Sequence, residues 1–408
     1  MAANSRNISV PPENGGRNAS DIQASNRQLI LRLIRQNAVI SRTELTERSG
    51  LKPATITLIV NEYLKKQVIE DCGLISGNNG RRVKGVRMTG NVYCTISIRI
   101  THSYYAIGLY ALDTGCITVE KTSFSLQSDF RRILDDIADS LQQHILMAKQ
   151  MRILGVSVGV SGPFDLCNDK FYYTGDPSQP GIDLNDFFSH LVPYPVYLGK
   201  SSDHAAYWLY GGELTRDMQQ QTMLVAPLSG TLDVSIMSNG RLLHNSYSGP
   251  SFVDYLYVRD LHGKPFPASS LLSMDGIIGR AQELFEMYPD SSLCTLSQIR
   301  HRDLIRAYTE FDPLARHLYE EVANALAQAL LVLISILSPQ YILIGDELSP
   351  TEEFIDLVKQ KILLYAEPAV LDNVCVTLMG IERTTRTDIS LRGGCAYVID
   401  HELYRVEA

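Results

Sequence analysis

Residues 41–71 read SRTELTERSGLKPATITLIVNEYLKKQVIED, and this stretch decides the architecture of the chain's N-terminal part. Apolar residues recur at helical spacing on both sides of Ser49-Gly50: Leu45 before the break, then Ile56, Ile59, Val60, Tyr63 and Leu64 after it. Two short helices sharing one small core follow, which is the pattern of a helix-turn-helix. Ser41, with Glu44 three residues on, makes a capping box that starts the first helix. Pro53 stands early in the second, where its missing N–H costs nothing. With Ile56, Ile59, Val60 and Tyr63 turned inward, Ala54, Thr55, Leu58 and Asn61 project outward near the start of the second helix. That face is the one a major groove would meet.

Working outward, Asp21–Gln36 carries Ile22, Leu29, Ile30, Leu33 and Ile34 as one apolar stripe, a third helix that packs under the other two. Residues 1–20 are rich in Asn, Ser, Gly and Pro without apolar periodicity, the composition of a disordered tail. After Asp71, CGLISGNNGRRVKGVRMTG places a Gly-Asn-Asn-Gly turn between short alternating segments. This predicts a two-stranded wing with Arg81, Arg82, Lys84 and Arg87 beside the turn. A winged helix-turn-helix over residues 21–90 is the expectation.

Charge is segregated along the chain. Residues 1–90 hold 14 Lys and Arg against 7 Asp and Glu, a balance of +7, and the remaining 318 residues hold 23 against 38, a balance of −15. A basic head on an acidic body suits a module that meets a polyanion, joined to one that does not. Double-stranded DNA is the partner expected, contacted by Lys52, Ala54, Thr55, Thr57, Leu58 and Asn61 from the second helix and by Arg81, Arg82 and Lys84 from the wing. Ala54 and Leu58 offer only apolar contact, so specificity falls to Thr55, Asn61 and the wing arginines. A small helical bundle used for protein contacts is the competing reading, which helix-turn-helix spacing alone does not disprove.

At 408 residues, with 45% hydrophobic and 20% charged, the chain is long enough for two or three globular domains. Seven cysteines lie singly at 72, 94, 116, 167, 294, 375 and 395. That usage suits a reducing cytoplasm and argues against a disulfide framework or a cysteine-rich zinc site. The most apolar run, Ala323–Leu337, falls short of the roughly 20 residues of a membrane span, so a buried helix and no membrane insertion are expected.

The body begins near Asn91. Strands joined by tight turns, with Asp113-Thr114-Gly115 as one hairpin, precede an amphipathic helix from about Asp129 to Lys149 and an apolar strand ending at Gly162-Pro163. A second such unit starts at residues 223–244, with an Asn239-Gly240 turn, and YILIG at 341–345 adds a strand. Two similar α/β halves with a cleft between them over residues 91–408 are the simplest arrangement.

These segments resemble the ROK family, which takes its name from repressors, open reading frames and sugar kinases, and within it the repressor branch of the NagC and Mlc type. The likeness rests on SRTELTERSGLKPATITLIVNEYLKKQVIED, GRRVKGVRM, ISIRITHSYYAIGLYALD, LGVSVGVSGPFD, YPVYLGKSSDHAAYWLYGGEL and LSPQYILIGDELS, and covers nearly everything after about residue 21. It implies an actin-like, sugar-kinase-like ATPase fold of two lobes, a sugar site in the cleft, a sugar or sugar-derivative effector, and a homo-oligomer, dimer or tetramer.

The chain departs from that family where its chemistry resides. The kinases hold phosphate on a glycine-bearing first hairpin, whereas Ser97-Ile98-Arg99-Ile100-Thr101 has no glycine. Their second phosphate loop corresponds to residues 229–235, where Asp233 would repel phosphate. Their catalytic base aligns with Ser201; Asp203 would replace it only if the loop shifted by two residues, and otherwise caps the helix that follows. The family's sugar- and zinc-binding Glu and His align with Phe252 and Tyr255, and no cysteine lies between 168 and 293. His244 and His262 are too few for zinc. No catalytic residue, metal or cofactor is therefore expected. Gly162, Pro163, Asp203, Phe252 and Tyr255 are the candidate ligand contacts, with Trp208 as a further ring. The expectation is a repressor that binds a palindromic operator. A regulator controlled by protein docking is the alternative, and a sugar kinase the weakest.

Overall fold

The computed structural model describes residues 19–76, 82–101, 104–113, 115–124, 129–162, 164–165, 169–172, 181–212, 221–227, 232–238, 241–243, 256–345, 351–378 and 388–405. The expected tail therefore lies almost wholly outside the described residues.

The head comprises α1 (Ala19–Arg35), β1 (Ile40–Ser41), α2 (Arg42–Ser49), α3 (Pro53–Lys65), β2 (Ile69–Ser76) and β3 (Arg82–Met88), with strand order β1-β3-β2. The capping box forms: the Glu44 N–H donates to Ser41 Oγ at 3.2 Å, and the Ser41 N–H donates to Glu44 Oε2 at 2.9 Å. Gly50 ends α2 at φ +70°, a left-handed cap that costs glycine little. Ile56, Ile59, Val60 and Tyr63 are buried as their spacing predicts. The stripe on α1 needs correction, because Ile22 is exposed and Leu31, absent from that stripe, is fully buried with Ile30 and Ile34. Helix α1 packs on two fronts, its sister helices and the last helix of the body, and a single-stripe reading sees only one.

The body's first lobe contains β4 (Tyr93–Ile100), β5 (Tyr104–Ala111), β6 (Cys116–Ser123), α4 (Phe130–Met147), β7 (Arg152–Val160), the short β8 (Phe164–Asp165), β9 (Lys170–Phe171) and β10 (Ile182–Asp183), α5 (Leu184–Leu191), β11 (Val196–Lys200) and α6 (Ser201–Gly212). The second contains β12 (Met223–Pro227), β13 (Ser235–Ser238), β14 (Arg241–Leu243), β15 (Tyr257–Arg259), β16 (Pro265–Pro267), α7 (Met274–Glu283), α8 (His301–Thr309), α9 (Pro313–Leu337), β17 (Tyr341–Gly345), α10 (Glu352–Tyr365), α11 (Ala369–Asp372) and β18 (Cys375–Leu378). The final helix, α12 (Ile389–Arg405), returns to the first lobe.

The two main sheets share one plan. Strand order is β11-β7-β4-β5-β6 in the first and β14-β13-β12-β17-β18 in the second. Each is an antiparallel three-strand meander whose first strand pairs in parallel with a later strand, which in turn pairs in parallel with a fifth at the sheet's edge. Parallel pairing requires crossovers, supplied by α4 in one lobe and by the longer run through α7–α9 in the other. Each sheet has its own apolar core, while Ala205, Ala206 and Leu209 of α6 pack with Met223, Val225 and Leu343 of the second sheet and Tyr197, Tyr397 and Val398 of the first lobe. Helix α6 is thus the hinge-side element between the lobes. Helix α9 is long and apolar enough to cross a membrane, yet Leu314, Leu318, Val322, Leu326 and Leu330 are buried in the second lobe's core.

Candidate nucleic-acid interface and interlobe cleft

Helix α3 owes its outward face to its inward one. Once Ile56, Ile59, Val60 and Tyr63 fill the head's core, the 3.6-residue period leaves Lys52, Ala54, Thr57, Leu58 and Asn61 exposed and Thr55 half-buried. Leu58 is 65% exposed, which nothing in the head's own packing requires. The Arg42 guanidinium, from the first position of α2, donates to Asn61 Oδ1 at 2.9 Å. Sequence reading missed Arg42. It stands next to the capping Ser41, but the 19-residue separation from Asn61 carries no periodic signal.

In the wing, Arg82 is paired in register with Ser76 and is exposed. Lys84 Nζ lies 3.9 Å from Asp71 Oδ2, a loose surface contact. Arg87 Nε donates to Glu70 Oε1 at 2.5 Å across the strands, so its charge is matched locally and it is less available than its neighbours. Arg81 and the Gly-Asn-Asn-Gly turn lie outside the described residues.

The cleft differs from the sequence expectation at two points. Helix α6 starts at Ser201, so Asp203 sits inside its first turn rather than capping it, and Asp203 Oδ1 accepts from Ser235 Oγ at 2.6 Å. Asp233, far from being a bare repulsive charge, accepts from Ser202 Oγ at 2.6 Å and from Lys200 Nζ at 3.3 Å. The start of α6 is therefore laced to the segment leading into β13, one lobe to the other, through Lys200, Ser202 and Asp203. Ser201 is 1% exposed, and its hydroxyl has no hydrogen-bond partner among the described residues. Next to it His204 is equally buried, and both ring nitrogens lack partners among those residues. Burial, only partly offset by the Asp388 carboxylate, pushes its imidazole down to about 4.

Arg99 fills the place of the phosphate hairpin. It is 2% exposed, and its Nη1 donates to Asp388 Oδ2 at 2.7 Å at the start of α12. Thr101 closes the same hairpin, donating to Tyr104 O at 2.9 Å and accepting from the Tyr104 N–H at 3.1 Å. Gly162 follows β7 at φ +132°. Pro163, Phe252 and Tyr255 lie outside the described residues. The Trp208 ring is covered by the Arg392 guanidinium at 5.3 Å. A separate cavity of about 360 Å³ opens on the second lobe, lined by Asp260, Lys264, Phe266, Ser270, Arg280 and Glu321 among others, with Arg280 paired through two nitrogens to Glu321. Among the described residues, no three His, Cys, Asp or Glu side chains gather at metal-binding spacing.

Comparison with known proteins bears on both halves. Residues 25–70 match a winged helix-turn-helix DNA-binding model and residues 269–400 match the ROK family model. The chain is 23% identical over 401 residues to the DNA-binding transcriptional repressor Mlc of Escherichia coli K12, spanning 95% of this chain and 96% of that one. It is 21% identical over 349 residues to the dual regulator NagC of the same organism, 83% and 84% of the two chains. Its fold is that of a ROK family transcriptional regulator described as a homologue of E. coli Mlc, with a TM-score of 0.70, 18% identity and 94% and 97% coverage. The body alone also superposes on a ROK glucokinase from Streptomyces griseus, with a TM-score of 0.60, 16% identity and 74% and 98% coverage. The chain thus carries a ROK family match over residues 269–400 and a winged helix-turn-helix match over residues 25–70, on a fold of two lobes of matching topology behind a winged N-terminal head.

Proposed function

We propose that this protein is a sequence-specific transcriptional repressor of carbohydrate-related genes, cytoplasmic and homo-oligomeric, whose body binds an effector and does not catalyse. The observation that carries the reading is the exposed face of α3, where Ala54, Thr57, Leu58 and Asn61 stand clear of the head's core with Arg42 and Lys52 beside them. Short side chains let a helix approach base edges closely, and the basic residues around them match phosphate. Relatives named as repressors support the same reading. Selection from a random duplex pool tests it. Recovery of a consensus with two half-sites is the expected result, and a pool that stays unenriched against the intact protein rejects it.

The kinase reading is disfavoured by chemistry. A glycine-poor hairpin, with Arg99 buried in an ion pair, gives no backbone cradle for phosphate, and Ser201 is no base at neutral pH. Calorimetry with ATP and magnesium should give no heat, and a coupled assay over a sugar panel no turnover. Turnover abolished by Asp203→Asn would overturn this, because it would make Asp203 the base. Regulation through protein docking remains the second reading, favoured by the laced start of α6. Melting temperature against a panel of sugars, amino sugars and sugar phosphates separates the two, since a ligand of the native state raises it.

A further inference from the structure

We propose that α12 couples the interlobe cleft to the DNA-reading head, with Asp400 as the residue that positions the head and Tyr207 as its link to α6. This deepens the repressor reading above and depends on it only for the DNA-binding readout.

Helix α12 belongs to two cores at once. Ile399 and Leu403 are fully buried with Ile30, Ile34, Ile56 and Tyr63 of the head, so the head's core is completed by residues more than 300 positions away. Between them Asp400, 1% exposed, accepts from Arg35 Nη1 at 2.8 Å, from Arg32 Nη2 at 3.5 Å and from the Tyr207 hydroxyl. Both arginines lie in the last turn of α1. On the side toward α6, the Tyr397 ring meets Tyr207 edge-on at 5.3 Å, and the Tyr197 hydroxyl donates to Glu402. One carboxylate thus holds together a head helix and a body helix.

The contact between α6 and α12 has no slack. A Cβ added at Gly393 would lie 1.7 Å from the His204 carbonyl oxygen, and one at Gly394 would lie 3.0 Å from His204 Nδ1. At Gly393 the two helices touch backbone to backbone, and the Tyr207 and Tyr397 rings pack beside that point, so a relative shift is passed on rather than absorbed. Helix α6 begins in the cleft, where Ser202 and Asp203 are tied to Asp233 and Ser235. Four residues beyond Asp203, on the same helix face, Tyr207 reaches Asp400. A change in lobe closure that displaces the first turn of α6 therefore moves the hydroxyl that helps orient Asp400, and with it the two arginines of α1.

Spatial continuity alone does not demonstrate coupling, so the test is a thermodynamic cycle in the full-length protein. Ser235→Ala loosens the cleft tie, and Tyr207→Phe removes one hydroxyl while keeping the ring. The probe is the duplex that the protein itself selects. Ser235→Ala is expected to change the Kd for that duplex by about threefold or more in the wild-type background, and to have no effect in the Tyr207→Phe background. Additive effects, or no effect of Ser235→Ala, overturn the proposal. Hydrogen exchange across α1 without DNA provides the second arm: Ser235→Ala should speed it, and should not do so once Tyr207 is Phe. Equal acceleration in both backgrounds, or none, rejects the coupling. If no duplex is selected, the DNA-reading assignment fails while the exchange arm still decides the clamp.

Discussion

Asn61 stands in the outward face of α3 with its carboxamide oxygen already bonded to Arg42, which fixes the orientation in which its amide meets a base pair. An amide so held can pair through two bonds with adenine, worth about 1–3 kcal/mol against other bases. Asn61→Ala should therefore relax preference at one position of each half-site, read from the selected consensus. Arg42→Ala should weaken binding more evenly. Relaxed preference at one position with Arg42→Ala, and none with Asn61→Ala, would place Arg42 at a base instead. His204 sets a second residue-level expectation. Its imidazole titrates near 6.5 in the unfolded chain and about 4 in the fold, so between those values the unfolded state takes up a proton that the native state does not. Stability should be unaffected above pH 6.5 and fall progressively from there to pH 4, by up to about 3 kcal/mol. Urea titrations across that range should show the slope, and His204→Leu should flatten it. The inward set of α3 was legible in the sequence because periodicity reports burial. Arg42 with Asn61 and Arg99 with Asp388 were not, since partners 19 and 289 residues apart leave no local pattern.

At the scale of elements, caps decide where helices begin, and they explain both a success and a miss. Ser41 and Glu44 satisfy each other's backbone, so Ser41→Ala should cost about 1 kcal/mol and lower the melting temperature of the head's transition. Asp312 caps α9 more heavily. It accepts from the backbone of Leu314 and Ala315 and from Ser291 and Ser292, and although burial would raise its carboxyl, these donors hold it below the usual range. Asp312→Ala should cost on the order of 3 kcal/mol, since several buried donors lose their acceptor together. A loss under 1 kcal/mol would mean that water replaces the carboxylate. At α6 the nearest Asp misled the reading, because the acidic residue was committed to Ser235 in the other lobe and the helix began two residues earlier. Local chemistry names candidate caps, and tertiary partners choose among them.

Across the whole molecule, a reader and a two-lobed body share α12, and the charge that joins them is shielded from ordinary pH. Burial alone would raise the Asp400 carboxyl, but Arg35 and Arg32 hold it below its usual range. Its contribution is present above the ordinary carboxylate pKa and is lost only as pH falls through that lower folded value, so the head should stay docked through the His204 window. The bipartite plan was visible in the charge split between residues 1–90 and the rest and in two repeated strand patterns. The interlock was not, because it rests on a helix whose own sequence shows no single apolar face. The most direct test of the central claim, that the head grips duplex DNA through α3 and the wing, is the salt dependence of binding by the intact protein to its selected duplex. For the wild type, log K should fall linearly with log salt. Arg81→Ala with Arg82→Ala should shallow the slope by about 2, close to 0.9 for each phosphate that the wing no longer neutralises. A slope unchanged in the double variant, or wild-type binding that ignores salt, would contradict it.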